Sequence, residues 1–313
     1  MTFQQLLYVV EISKCGSINK AAQKLYISQT GMSSAVRILE SELGICLFKR
    51  SSRGVEFTSE GKRFVSYAVS LLEQKKRIEQ LYEGCLEADS PVTLSVSAQR
   101  LTFLLGAFTD IINSLQTHYY DFNYRESNID GVIDDVYDHR ADIGIITLAE
   151  HTEQFIMHLL KLRNMEFHEI AEVKARVYCR VGHPLTRLEA ISEEDLKKYP
   201  YLYFERGLGS AVEFSEEAHL ISLKKPEKTI CVNNSMVCSF LLSETDAFTI
   251  GTGLSNKKMS KKIASLPLLN ANSIRIGWCC IKNQPQSPQL QEYIALLEKY
   301  TQNAIQYTQK TQM

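Results

Sequence analysis

Residues 27–44 read ISQTGMSSAVRILESELG, and this stretch constrains the chain more than any other. Wound into a helix, it puts Met32, Val36, Leu39 and Leu43 on one face at offsets of four, seven and eleven, the stripe that an amphipathic helix buries. The opposite face carries Gln29, Thr30, Ser33, Ser34 and Arg37. A solvated helix face ordinarily mixes Glu and Lys. This one offers donors, acceptors and a single cation, with no acid before Glu40.

The flanking residues place that helix in a motif. Phe3, Leu6, Leu7 and Val10 recur at helical spacing after a possible Thr2 cap, and Gly16 stands where the helix should stop. Ser17 can cap a short second helix whose inner face is Ile18, Ala21, Ala22 and Leu25; Ser28 can cap the third. Two short helices joined by a turn of about three residues form a helix-turn-helix. After Gly44, ICLFKRSSRGVEFT reads as a hairpin with a basic tip.

From about Thr58, Phe64, Ala68, Leu71, Lys75, Ile78, Tyr82 and Cys85 alternate steps of four and three, a heptad seam. Roughly 28 residues at about 1.5 Å each make a rod of about 40 Å, which predicts pairing with a second copy. Pro91 marks the next boundary. Beyond it strands and helices alternate: strand VTLSVSA, helix Leu104 to Gln116, strand Phe122 to Glu126, helix Val132 to His139 and the run ADIGIITL. A second set follows, with ARVYCRV, the turn GHPLTR, helix Glu193 to Lys198, YLYF and the segment from Thr229 to Gly253. The last strand SIRIGWCCI and the last helix, Leu290 to Tyr300, return to the first set. This predicts two α/β lobes with mainly parallel sheets, linked by two crossovers, and a frayed Gln/Thr-rich tail from Thr301.

Composition narrows the partners. With 313 residues, 44% of them hydrophobic, and a net charge of −1, the chain is globular and no polycation, so a nucleic-acid surface must be local. Residues 1–60 carry seven Lys/Arg against five acids, a balance of +2. The N-terminal run lacks the pattern of a signal peptide, and no stretch approaches the ~18 apolar residues of a membrane span. Eight Cys without a C-x-x-C pair read as reduced thiols of a cytoplasmic protein and supply no zinc motif. There is no P-loop, H-E-x-x-H or G-x-S-x-G, so no catalytic residue and no cofactor is expected.

The order of parts resembles the LysR-type transcriptional regulators. Ala21-Ala22, Leu25, Ser28-Gln29, Ser33, Arg37, Leu39-Glu40, Leu43-Gly44, Leu47-Phe48, Arg50, Thr58 and Gly61 stand where that family's DNA-binding module has such residues, and GHPL at 182–185 is similar to a turn of its second lobe. Thr30-Gly31 departs from the family pattern, as does 251–256, which reads GTGLSN where many members have Gly-x-x-Leu-x-Pro. The resemblance implies a multidomain α+β protein: a winged helix-turn-helix over 1–58, a dimerising linker helix over 59–90, and a two-lobed effector-binding domain of periplasmic-binding-protein type over 91–313. Lobe I is expected at about 91–163 and 268–300, lobe II at about 164–267.

The expected partners are double-stranded DNA, a small polar or anionic metabolite, further copies of the chain as a dimer or tetramer, and RNA polymerase. Gln and Arg near a helix N-terminus can read base edges in the major groove, where carboxylates would be repelled. The candidate DNA-contacting residues are Ser28, Gln29, Thr30, Ser33, Ser34, Arg37 and Thr58, with Lys49, Arg50 and Arg53 placed to reach phosphates from the hairpin. Ligands of open α/β sheets sit beyond the carboxyl ends of strands. That selects Ser97, Gln99, Arg100, Leu101, Thr102, Ile146 and Thr147, faced by Phe204, Arg206, Asn234 and Ser235. Two alternatives stand beside this reading: a thiol switch at Cys231 and Cys238, and a solute-binding protein, in which the helix-turn-helix would have no role.

Overall fold

The computed structural model describes residues 1–51, 54–83, 91–115, 119–205, 227–255 and 261–310. The contacts divide the chain into two compact units, Met1–Ser90 with Asp138–Arg140, and Pro91–Tyr137 with Ala141–Met313.

In the first unit three helices precede a hairpin and a long helix. Helix α1 (Phe3–Cys15) starts at a capping box, in which the Thr2 hydroxyl accepts from the Gln5 amide and the Gln5 side chain accepts from the Thr2 amide; it ends at Gly16 in the left-handed conformation. Helix α2 (Ile18–Lys24) is capped by Ser17, and α3 (Gln29–Leu43) by Ser28, whose hydroxyl accepts from the Gly31 amide at 3.1 Å. Strands β1 (Phe48–Ser51) and β2 (Gly54–Phe57) pair antiparallel, Phe48 opposite Phe57 and Arg50 opposite Val55. Helix α4 (Ser59–Glu83) follows.

Met32, Val36 and Leu39 are fully buried against Val9, Ile12, Ala21 and Ala22, so the apolar stripe of α3 lies in this unit's core. Glu11, buried in α1, receives Lys24 of α2 at 2.5 Å, and this contact holds its carboxyl below the ordinary range. Gly61 is required where it stands, because a Cβ there would lie 2.1 Å from the Leu47 carbonyl oxygen. The expected heptad seam divides. Phe64 and Ala68 pack inward on Leu6 and Val10 of α1, whereas Leu71 and Ile78 are exposed, together with Tyr67. Lys75 pairs with Glu79, and Cys85 lies outside the described residues.

The second unit holds two lobes. Lobe I contains β3 (Val92–Ala98), α5 (Leu105–Ser114), β4 (Tyr120–Glu126), α6 (Ile129–Tyr137), β5 (Ile143–Ala149), α7 (Glu153–Leu162) and β6 (Met165–Lys174). Lobe II contains β7 (Arg176–Arg180), α8 (Glu193–Leu196), β8 (Tyr201–Phe204), β9 (Thr229–Val232), α9 (Ser235–Glu244), β10 (Thr249–Gly251) and β11 (Ile263–Pro267). The chain then returns to lobe I through β12 (Ser273–Ile281) and α10 (Pro288–Lys310).

The lobe I sheet runs β4-β3-β5-β12-β6; β3 is parallel to β4 and β5, while β12 is antiparallel to both neighbours. It is therefore mixed rather than mainly parallel. Lobe II has an antiparallel sheet β10-β7-β11 and a parallel pair β8-β9. Lobe I extends past residue 163, since all of β6 pairs in its sheet, and the crossovers come at Ala175 and Asn272, which share a backbone hydrogen bond of 3.0 Å. The frayed tail expected from Thr301 is a correction. Helix α10 continues to Lys310 with Thr301 fully buried, its hydroxyl donating to the Leu297 carbonyl at 2.8 Å, so the polar group needs no water.

Candidate functional site

The first candidate surface is the outer face of α3. Gln29, Thr30, Ser34 and Arg37 are exposed along it, directly after a helix N-terminus whose dipole favours anions. Ser33 is not part of that exposed set: it is buried, with its hydroxyl accepting from the Gln29 side chain at 3.4 Å. Ser28 is committed to its cap and also accepts from the Thr30 hydroxyl at 3.3 Å. Tyr26, in the turn between α2 and α3, is 96% exposed at a φ of 55°.

On the hairpin, Lys49 is exposed opposite Glu56. Arg53 lies outside the described residues. Thr58 spends its hydroxyl locally, donating to the Cys46 carbonyl at 2.7 Å and accepting from the Gly61 amide at 2.9 Å at the start of α4. Glu40 accepts from the Leu47 amide at 2.6 Å and the Phe48 amide at 3.3 Å, which ties α3 to the first strand of the hairpin. The first acid of α3 thus faces a backbone it must hold.

The second candidate site is a cavity of about 170 Å³ inside the second unit, walled by both lobes. Lobe I contributes Gln99, Arg100, Leu101, Thr102 and Thr147 from the strand ends. The Thr147 hydroxyl donates to Gln99 Oε1 at 3.0 Å, fixing two strand ends to each other. Lobe II contributes Phe204 and Ser235. Three expected residues are not on the wall. Ser97 is fully buried and donates to Asp135 Oδ2 at 2.8 Å; Ile146 points to the opposite face of β5, packed on Ile133 and Ile156; Asn234 caps α9, its Oδ1 accepting from the Val237 amide at 2.9 Å. Side chains alternate along a strand, so of two neighbours at a strand end only one faces the cleft. Arg206 lies outside the described residues.

Arg100 is the charged feature of the wall. Its side chain is 14% exposed, its guanidinium carbon sits 4.1 Å from the Phe204 ring centroid, and its Nε is closed to solvent without a hydrogen-bond partner. Glu126 is 4.0 Å away, but its carboxylate is engaged across the cleft, accepting from the Ser235 hydroxyl at 2.7 Å and the Ser235 amide at 3.2 Å at the head of α9. Thr249, buried on the same wall, also has a hydroxyl without a partner. The remaining lining is largely apolar, with Phe103, Ile156, Leu242 and Leu254 among it.

The sequence reading missed Tyr178, Thr249 and Thr252, because nothing local says which lobe II strands border the cleft. Burial pushes the Tyr178 hydroxyl up to about 12, and it donates to the Leu254 carbonyl at 2.8 Å. The departing segment at 251–254 lies on the wall, and Gly253, at a φ of 76°, leaves room for Arg176, whose Cδ would be 2.1 Å from a Cβ. Of the two cysteines considered for a thiol switch, Cys231 is exposed on β9, whereas Cys238 is buried on α9 and lines the cavity. Among the described residues no helix is long and apolar enough to cross a membrane.

Comparison with known proteins fixes the family. The family model described as bacterial regulatory helix-turn-helix protein, lysR family, matches residues 3–62, and the LysR substrate binding domain matches residues 96–302. The chain belongs to the LysR family and is a DNA-binding transcriptional regulator. It is 28% identical over 237 residues, 75% of each chain, to the uncharacterized HTH-type transcriptional regulator YeiE of Escherichia coli K12. To the HTH-type transcriptional regulator TfdT of Cupriavidus pinatubonensis it is 31% identical over 144 residues, 43% of this chain and 62% of the relative. Its fold is similar to that of full-length CbnR in complex with target DNA, with a TM-score of 0.63 at 18% identity over 96% of this chain and all of the other.

Proposed function

We propose that this regulator reads operator DNA with Gln29, Thr30, Ser34 and Arg37 of α3 in a major groove and Lys49 and Arg50 of the hairpin beside the backbone. It acts as a homodimer or as a homotetramer made of two such dimers, and a small molecule held between its lobes sets its output. The observation that carries the effector half is Arg100, stacked on Phe204 with its Nε closed to solvent and lacking a hydrogen-bond partner, at the wall of an otherwise mostly apolar cavity. Buried polar groups ordinarily have partners. A compact, largely apolar molecule with one anionic end would supply the missing acceptor. The volume supports a small ligand, since about 150 Å³ is enough to take up benzene.

Dimerisation is assigned to α4, where Tyr67, Leu71 and Ile78 leave an apolar stripe exposed. Footprinting on the DNA upstream of the protein's own gene, with and without small organic acids, tests the whole reading. Protection whose boundaries move with one such acid supports it. Protection that no acid alters while Cys231→Ser abolishes an oxidant response would hand the effector role to the thiols. A dimer mass unchanged by Leu71→Glu in light scattering would show that α4 is not the interface.

A further inference from the structure

A second cluster of chemistry-bearing side chains lies in lobe I, away from both sites above. Strands β6 and β12 pair so that Glu166 is opposite Cys280 and His168 is opposite Trp278. All four side chains share one face of the sheet, because positions two apart on a strand point the same way. Glu166 Oε1 is 3.3 Å from His168 Nε2 and 3.9 Å from Cys280 Sγ, and one ligand atom from each residue falls within 4.8 Å of the others.

The His168 ring is stacked on Trp278 at 3.9 Å between centroids and 14° between planes, so its orientation is fixed. Its side chain is 43% exposed, yet the Nε2 atom has no contact with solvent and no hydrogen-bond partner. The Glu166 oxygen is close enough to bond but is not aligned with the ring nitrogen. The nitrogen is thus left without a hydrogen bond beside the Glu166 oxygen. A carboxylate, an imidazole and a thiol around a common point, with one nitrogen left unbonded, form a donor set for a cation of intermediate softness.

We propose that Glu166, His168 and Cys280 bind a Zn²⁺ ion through one oxygen, one nitrogen and one sulfur, with a fourth position open to solvent. Ligand bonds of about 2.0 to 2.3 Å around a tetrahedral ion place donor atoms roughly 3.3 to 3.7 Å apart, close to the 3.3 and 3.9 Å that separate the Glu166 oxygen from the other two donors. The Cys280 thiol releases its proton to bulk water when the sulfur enters the coordination shell. Glu166 and His168 lie at the rim, with 40% and 43% of their side chains exposed, which gives the ion an entry path; Cys280 and the Trp278 ring form the buried floor. Cys280 stands six positions along β12 from Ile274 on the cavity wall, about 20 Å at 3.3 Å per residue, so the ion and the effector occupy separate sites. No short motif announces the site, because its ligands are brought together by strand pairing across more than a hundred residues.

The test uses the full chain, freed of metal with a chelator and titrated with Co²⁺ as a spectroscopic stand-in for Zn²⁺, then with Zn²⁺ against a chromophoric chelator. The expected result is a thiolate-to-cobalt charge-transfer band that saturates at one ion per chain and is displaced by Zn²⁺. Cys280→Ser should abolish the band. His168→Phe, which keeps a ring to stack on Trp278, should weaken Zn²⁺ binding by at least about tenfold, since even residues behind the first ligands commonly matter that much. Circular dichroism verifies that both variants are folded. Absence of a thiolate band in the parent chain, or a band and affinity unchanged in both folded variants, would overturn the assignment.

Discussion

The outer face of α3 and the wall of the interlobe cavity both leave polar side chains for a partner, and they are built in opposite ways. On α3 the groups come from nine consecutive residues, Gln29 to Arg37, of one helix; each is exposed, and the apolar stripe behind them fixes where they point. In the cavity they come from Gln99 through Ser255, from two lobes, and the charged one, Arg100, is largely covered with its Nε lacking a hydrogen-bond partner. A surface reader can thus be changed one side chain at a time without disturbing its core. A buried reader is held in the same packing that folds the lobes, so its ligand must complete bonds the protein has left open.

Four measurements separate the two regions. Leu39→Ala empties a fully buried position behind the helix and should cost the first unit about 2 to 5 kcal/mol in thermal unfolding. Effector binding to the folded second unit should be unchanged. Loss of both together would show that the two units do not stand alone. Arg100→Ala removes the unpartnered donor and should weaken an anionic effector about tenfold to hundredfold in calorimetry, leaving operator affinity at its parent value. Arg37→Ala should do the reverse, costing about 1 to 3 kcal/mol of operator binding and relaxing base preference in gel shifts, with effector affinity intact.

The smallest effect concerns acid. Glu11 has its carboxyl lowered chiefly by the hydrogen bond from Lys24, so the folded form binds its proton less readily than the unfolded chain does. That contribution to stability is present above the ordinary carboxylate value of about 4.3 and is lost as pH falls through the lower folded value. The urea midpoint of the first unit should therefore drop as the medium is acidified below that point, and drop less steeply in Lys24→Met. Parallel curves for the two proteins would mean that the contact contributes nothing to folding.

The difference between the two regions also explains what could be read from the sequence. Caps at Thr2, Ser17 and Ser28, the stops at Gly16 and Gly44, and the buried stripe are local signals, and the helices they imply are present within a residue or two. The cleft required knowing which strands are neighbours. Ser97 and Ile146 look like pocket residues by position, yet the first is consumed by Asp135 and the second faces α6 and α7, because the pleat turned them away. Strand β6, MEFHEIAEVK, was not anticipated: it is an edge strand whose acids and lysine suit an exposed rim and blur the apolar alternation. Helix α10 was cut short for a related reason, its polar composition concealing a threonine that bonds to its own helix.

One carboxylate in α3 has a consequence for the DNA rather than for the protein. Glu40 grips two successive amides at the root of the hairpin, so the exposed face of α3 and the start of the first hairpin strand are held at a set spacing. On the proposed reading, an operator half-site in which the contacted phosphates are shifted by a single step of about 3.4 Å against the contacted bases cannot be met by adjusting the protein. The duplex itself must twist or bend to close that gap, and sequences that deform easily at the step between groove and hairpin will be preferred although no side chain touches them.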